Sequence, residues 1–408
     1  MKRRIPLIPL TAFAVFFFFL SWYVLVGLET IAHQPLVPIV FWSISLLSLG
    51  ALYYALQGMR SRGMGQFFKV STHFFLVLFV SEVIFALLIF AGDIYRGLYG
   101  LVNLGLKGDF LSPGRSQYWI GLAASLFLVT ILLFIYGMLR GKYAYRVVRH
   151  SLYFENLPAA FDGFTITQIS DVHAGSFTNP KAVQRGIELI KEQDSDVFVF
   201  TGDLVNNKAE EIKPWIGHFS QIRARYGQFS VLGNHDYGDY VAWPDEGTKR
   251  ANLQQLKQYH DALGFKLLLD ENVTLRKDGE QIFLAGIENW GLGFGERGDL
   301  EKALNGTKTD DFKVLLSHDP SHWEAQVKNH QSNIDLTLSG HTHGMQFGIE
   351  AFGIKWSPVK YRYAHWAGIK HENNRFLNVN RGFGFIGFSG RVGIWPEITV
   401  IQLKKARS

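Results

Sequence analysis

Four uninterrupted apolar stretches, at about 7–27, 35–56, 72–92 and 118–139, fill most of the first 150 residues. Each is long enough to cross the roughly 30 Å hydrocarbon core of a bilayer as a helix. Backbone polar groups at that depth must be satisfied within the segment, so residues 1–150 are expected to form a four-helix membrane region. The first stretch lacks a small-residue cleavage pattern and three comparable stretches follow it, which argues against a removable signal peptide. Lys2, Arg3, Arg4, Arg60, Arg62, Lys69, Arg140, Lys142, Arg146 and Arg149 flank one side of these stretches, against Arg96, Lys107 and Arg115 on the other. That bias predicts both termini, and everything after residue 150, on the cytoplasmic side. Glu82 stands in the middle of the third stretch, where it is expected to face the bundle interior, protonated or hydrogen-bonded.

The net charge of +6 is unevenly distributed. Residues 1–150 hold 13 Lys and Arg against 4 Asp and Glu, and residues 151–408 hold 28 against 31. The basicity therefore belongs to the membrane flanks, and the −3 of the remainder is unlike the positive track of a nucleic-acid binder. Residues 140–155, RGKYAYRVVRHSLYFE, are expected to be a basic, aromatic connector at the membrane surface. Beyond them, strand patterns alternate with helical ones at roughly 181–194, 208–225 and 248–263, as in an α/β domain with ligands at the carboxyl ends of its strands. Lys277-Asp278-Gly279-Glu280 between two apolar runs predicts a hairpin, so part of the sheet is antiparallel.

Five of the expected strands end in the same kind of residue. Asp196–Val205, DVFVFTGDLV, delivers Asp203; the others lead into Asp171-Val172-His173, Gly233-Asn234-His235-Asp236, His318 and Gly340-His341-Thr342-His343. Asp171, His173, Asp203, Asn234, His318, His341 and His343 offer seven oxygen and imidazole donors, and the chain has no Cys to offer a thiolate. A donor set of this kind suits two divalent cations such as Mn, Fe or Zn, bridged by one carboxylate and leaving room for substrate oxygens. His322 and His330 are expected to be packing or surface residues, while Gln346 stands close enough to His343 in sequence to reach the site.

The order D-x-H, G-D, G-N-H-D, H, G-H-T-H over residues 160–405 resembles the calcineurin-like metallophosphoesterase family. Asn380-Arg381-Gly382-Phe383-Gly384 with Pro396-Glu397-Ile398 resembles its bacterial membrane-associated branch, which implies an inner-membrane protein. The resemblance implies a two-sheet sandwich flanked by helices over 151–408. It assigns Asp171, His173, Asp203 and His343 to one ion, and Asp203, Asn234, His318 and His341 to the other. His235 would contact the phosphoryl group and protonate the leaving group, with Asp236 tuning its imidazole. The implied reaction is phosphoester hydrolysis, with a hydroxide between the ions attacking phosphorus in line. A nuclease, a soluble-nucleotide phosphodiesterase and a non-catalytic receptor or scaffold for a phospho-ligand are the competing readings.

Residues 344–370 place Phe347, Phe352, Trp356, Tyr361, Tyr363 and Trp366 among Lys355, Lys360, Arg362 and Lys370. Rings interleaved with cations suit a bilayer interface. Two expectations stand for this stretch: a buried loop covering the sheet edge, or, with the membrane tether, a bilayer-facing surface that points to an amphipathic substrate, a phosphate diester on a lipid-linked or nucleotide-lipid molecule.

Overall fold

The computed structural model describes residues 7–62, 65–351 and 353–406; Lys2, Arg3, Arg4 and Phe352, and the side chains of Arg60 and Arg62, lie outside the described residues. The chain forms two compact units, Met1–Tyr136 and Gly137–Ser408.

The first unit contains α1 (Leu7–Leu28), α2 (Leu36–Arg62), α3 (Gln66–Lys107) and α4 (Gln117–Leu139), whose last turn belongs to the second unit. All four are long and apolar enough to cross a membrane. At 42 residues α3 runs well past the expected 72–92, to roughly 60 Å at 1.5 Å per residue. The first charge after the apolar stretch does not stop it, because Asp93 is paired: Arg96 donates to it at 2.7 Å and Tyr23 at 2.8 Å. The helix ends where Gly108 adopts φ 79° and returns its N–H to the Leu104 carbonyl. Glu82 is buried and accepts hydrogen bonds from Ser21 of α1 (2.7 Å) and Ser45 of α2 (3.2 Å), the interior arrangement that its position in the sequence called for.

The second unit is a sandwich of two six-stranded sheets. The first sheet takes β1 (Arg146–Phe154), β2 (Thr165–Ile169), β3 (Val197–Thr201), β4 (Gln228–Val231), β5 (Lys266–Leu267) and, from the far end of the chain, Glu397–Lys405. The second takes β6 (Glu271–Lys277), β7 (Glu280–Gly286), Lys313–Leu316, Leu336–Ser339, Gly368–Glu372 and Arg375–Val379. Numbered onward in chain order, β8 (Trp290–Gly291) and β9 (Gly295–Glu296) are a small pair and Lys313–Leu316 is β10. Leu336–Ser339 is β11, β12 (Ile349–Ala351) and β13 (Ile354–Trp356) form a separate hairpin, Gly368–Glu372 is β14, Arg375–Val379 β15 and Glu397–Lys405 β16. β2 to β5 run parallel, and so do β7, β10, β11 and β15.

Between the sheets, alternate residues such as Ile166, Val199 and Val231 meet Leu284, Val314 and Leu338 in one buried cluster. On the outer face of the first sheet, Phe198 and Phe200 are covered by α5 (Pro180–Lys191) and α7 (Glu246–Leu263), with the short α6 (Ile216–Phe219) between them in sequence. Strands covered on both faces read as continuous apolar runs, which is why VFVFT carries no alternation. On the second sheet, Leu315 and Leu377 are covered by Trp323, Val327 and α8 (Leu300–Ala303).

Two local expectations change. The segment anticipated as a connector is strand β1 over Arg146–Phe154, paired in parallel with β16 from Arg146↔Glu397 to Phe154↔Lys405. The helix anticipated over 208–225 is a 3-10 turn, Ala209–Trp215, followed only by α6. Pro214 inside it removes an N–H donor and limits α-helical hydrogen bonding. The 277–280 hairpin forms as expected between β6 and β7.

Candidate metal centre

The parallel strands β2, β3 and β4 of one sheet and β10 and β11 of the other deliver their carboxyl ends to a common place. Asp171 and His173 follow β2, Asp203 follows β3, Asn234 and His235 follow β4, His318 follows β10, and His341 and His343 follow β11. Five of these leave the extended region at once: Asp171, His173, Asp203, His341 and His343 have φ of 51°, 46°, 61°, 69° and 51°. Left-handed backbone at non-glycine residues costs on the order of 1–3 kcal/mol each and persists only where the surroundings impose it. Here it bends the chain from the second residue after each strand, at Asp171, Asp203 and His341, and again at His173 and His343, so residues two apart both turn inward. Glycine is required next to two of them. A Cβ on Gly202 would stand 2.6 Å from the Gly233 nitrogen, and one on Gly340 would stand 1.7 Å from Ser170 Oγ.

The structure brings all seven sequence candidates together. Asp171, His173 and His343 form one group able to hold a metal ion, and Asp203, His318 and His341 form another, each with its ligand atoms within 4.8 Å of one another. His173 Nε2 lies 2.9 Å from His343 Nε2, and His343 Nε2 lies 3.2 Å from Asp171 Oδ1. Asp203 Oδ2 faces both groups, 3.5 Å from His173 Nε2 and 3.3 Å from His318 Nε2. Asn234 Oδ1 lies 2.9 Å from His341 Nδ1 and 3.2 Å from His318 Nε2.

Hydrogen bonds behind the cluster orient it. His318 Nδ1 donates to the Thr201 carbonyl at 2.8 Å, which directs the lone pair of a neutral ring from Nε2 at Asp203 and Asn234. Acceptors then face acceptors, a repulsive arrangement unless a cation or a proton lies between them. Burial opposes charge on His318, yet Asp203 and Asp171 push its pKa up to about 10. Burial pulls His173 down to about 3 and His341 to about 4, and it lowers His343 strongly, so these rings are neutral and able to donate lone pairs. The Asp203 carboxyl resists burial and is held well below its usual range by His318, His235 and His173. Neutral imidazoles, two carboxylates and one amide oxygen are a donor set that fits hard to borderline divalent cations.

His235 is half-buried at the edge of the cluster, its ring centre 5.0 Å from that of His173. Its backbone N–H donates to Asp203 Oδ1 (2.9 Å) and its Nδ1 to the Asn206 carbonyl (2.8 Å), which leaves Nε2 free. Asp236 does something other than tune that ring. Its buried carboxylate accepts from the backbone N–H groups of Asp203 and Gly233 at 2.9 Å, Leu204 at 2.8 Å and Val205 at 3.2 Å, and so holds the loop that presents Asp203. Gln346 does not serve the site: its amide is spent on the Phe388 and Gly390 carbonyls and the Ile386 N–H. His322 is a packing residue, bonded to Ser317 and 5.2 Å from the Trp290 ring, and His330 pairs with Glu301.

Three further residues touch the cluster without having been anticipated. Asp319 Oδ2 stands 3.4 Å from His341 Nε2 and accepts from the Tyr363 hydroxyl at 3.1 Å. Tyr240 accepts from Asn234 Nδ2 at 2.7 Å while its ring packs 4.4 Å from that of His235. Arg391 is fully buried, with Nη2 3.3 Å from His343 Nδ1 and donating to the Arg381 and Gly384 carbonyls at 2.7 Å. Only Asp319 had a signal in the sequence, as an acid directly after a candidate ligand.

Comparison with known proteins agrees with this geometry. Residues 164–345 match the family described as "Calcineurin-like phosphoesterase", and residues 3–142 match "Probable Calcineurin-like phosphoesterase, transmembrane domain". The uncharacterized metallophosphoesterase YkuE of Bacillus subtilis is 31% identical over 258 residues, 62% of this chain and 84% of that protein. The "Transmembrane protein with metallophosphoesterase domain" of Danio rerio is 28% identical over 285 residues, 68% of this chain, which spans 62% of that relative's length. The uncharacterized metallophosphoesterase Cj0846 of Campylobacter jejuni is 27% identical over 362 residues, 83% of this chain and 90% of that protein.

Proposed function

The chain belongs to the calcineurin-like metallophosphoesterase family, a membrane-associated, metal-dependent phosphoester hydrolase, and from that premise we propose that it cleaves a phosphate diester on a lipid-linked or nucleotide-lipid substrate at the cytoplasmic face of a bacterial inner membrane. The observation that carries the reading is Asp203 Oδ2 facing His173 Nε2 and His318 Nε2 at 3.5 and 3.3 Å, a carboxylate set between two donor groups.

In this reading Asp171, His173, Asp203 and His343 hold one divalent cation, and Asp203, Asn234, His318 and His341 the other, with Mn, Fe and Zn the fitting elements. When bound, the pair supplies Lewis acidity toward the phosphoryl oxygens and lowers the pKa of an attacking water. The chain's own groups do the rest. Asp203 brings the charge that keeps two cations close together, and Asn234 adds an oxygen without adding charge. His235, held through Nδ1 by the Asn206 carbonyl, would direct Nε2 toward the reacting phosphoryl group, take up a proton there from solvent and pass it to the departing oxygen. The separate domains in this proposal are a membrane region before about residue 140 and a catalytic domain after it.

Full-length protein, stripped of metal and reloaded with Mn²⁺, should hydrolyse bis(p-nitrophenyl) phosphate faster than p-nitrophenyl phosphate, and should cleave lipid diesters presented in vesicles. A preference for nucleic acid or free cyclic nucleotides would replace the lipid assignment, and binding without turnover would favour a receptor. A carboxy-terminal reporter active only in the periplasm would overturn the cytoplasmic placement.

A further inference from the structure

The hairpin β12–β13 begins six residues after His343, and its two faces differ. The register Ile349↔Trp356, Glu350↔Lys355, Ala351↔Ile354 puts Ile349, Ala351, Ile354 and Trp356 on one face and Glu350 and Lys355 on the other. The charged face is fixed to the domain: Glu350 pairs with Arg381, and Lys355 donates to the Ala367 carbonyl and lies 5.1 Å from the centre of the Trp366 ring. The apolar face is left open among the described residues, with Ile349 51% and Ile354 57% exposed. Tyr361 follows at 78% exposure, with the Lys360 ammonium 5.4 Å from its ring centre.

The base of this hairpin and the end of the last membrane helix share one support. Gly348 donates to the Val392 carbonyl at 3.0 Å, and Phe347 bridges Val392. Arg391 donates its backbone N–H to the Gly137 carbonyl at 3.2 Å. A Cβ on Gly137 would lie 2.6 Å from the Arg391 carbonyl oxygen and 2.7 Å from Val392 Cγ2, and one on Gly141 would lie 2.5 Å from that same oxygen. Gly137 stands in the last turn of α4, two residues before the helix ends at Leu139. The base of the hairpin and the residues Gly137–Gly141 therefore rest on the same segment, Arg391–Val392.

We propose that the apolar face of β12–β13, followed in sequence by the exposed Tyr361 and by Lys360, docks into the headgroup boundary of the bilayer that holds α1–α4. Aliphatic side chains with an exposed aromatic and a lysine close by in sequence match the apolar-to-polar gradient there, and the support at Arg391–Val392 ties the base of the hairpin to Gly137, in the last turn of α4, and to Gly141, just past its end. Docking holds the loop that carries His341 and His343 close to lipid headgroups. The inference stands on the hairpin and not on the substrate reading above, and its test needs no turnover.

Because the chain has no Cys, Ile354→Cys and Ile349→Cys each give a single attachment point for an environment-sensitive fluorophore. Full-length labelled protein in phosphatidylcholine–phosphatidylglycerol vesicles should emit to the blue of a label at Asp278→Cys, in the turn between β7 and the edge strand β6 of the second sheet. Lipids spin-labelled high on the acyl chain should quench the two hairpin labels and spare the one at 278. Solvent-like emission and no quenching at both 349 and 354 would overturn the proposal. So would a blue shift that tracks protein density and ignores spin-labelled lipid, since a second copy of the chain would then cover the face.

Discussion

His173 and His343 meet Nε2 to Nε2 at 2.9 Å, with ring centres 4.9 Å apart, in a fully buried setting that keeps both rings neutral. Two such nitrogens share one proton or one cation. They come from β2 and β11, strands of different sheets, so the contact exists only once the sandwich has closed. Arg391 Nη2 lies 3.3 Å from Nδ1, the other ring nitrogen of His343.

Asp203→Asn should abolish hydrolysis and lower the metal content measured by elemental analysis. The exchange keeps the shape of the side chain and removes the one carboxylate charge that faces both donor groups.

His235→Ala should leave metal content nearly unchanged while turnover falls by roughly 10²- to 10⁴-fold, the usual range for a general acid. Loss of both ions on this substitution would mean that His235 supports the metal site.

Arg391→Lys should not rescue Arg391→Met. The guanidinium bonds the Gly384 carbonyl through Nε at 2.9 Å and Nη2 at 2.7 Å, and the Arg381 carbonyl through Nη2, a fork that a single ammonium cannot reproduce. Both variants should lower thermal stability, by an amount equivalent to about 1–3 kcal/mol, because buried carbonyls lose their donor. Calorimetry of the Gly137–Ser408 unit would measure it.

Trp366→Ser should destabilise that unit rather than merely weaken lipid binding. Trp366 is buried with Val359, Tyr363, Ala367 and Ile394, and its carbonyl accepts from Thr342, between His341 and His343. A loss of about 3–5 kcal/mol is expected for emptying such a site, and activity on lipid and small diesters should fall together.

His260 contributes to the pH dependence of stability from outside the metal cluster. It is buried against Ser230, its Nδ1 2.9 Å from Ser230 Oγ, and burial pulls its pKa to about 3 from the usual 6.5. Above pH 6.5 neither the folded nor the unfolded chain protonates it, so it contributes no slope. As pH falls from 6.5 toward 3 the unfolded chain takes up a proton that the folded chain refuses, and stability drops by up to about 1.4 kcal/mol per pH unit. His260→Gln should flatten the acid limb of the stability curve by about one proton relative to the unchanged protein.

The sequence by itself determined which segments are long and apolar enough to cross a membrane, because apolar length is a local property, and which residue types sit at the strand ends. It also placed the hairpin at 277–280 and Glu82 inside the helix bundle. It could not assign Asp236, whose neighbour in sequence is His235 but whose partners are backbone N–H groups at 203, 204, 205 and 233. Arg391 had no local mark either, since its meeting with His343 spans 48 residues. The 344–370 stretch had one composition and two fates: Trp366 and Tyr363 pack into the domain, while Ile349, Ile354 and Tyr361 stay exposed. Side-chain type is written residue by residue, but burial and donor–acceptor partners are set by which strands lie side by side, and β1 beside β16 or β2 across from β11 is decided only when the two sheets close.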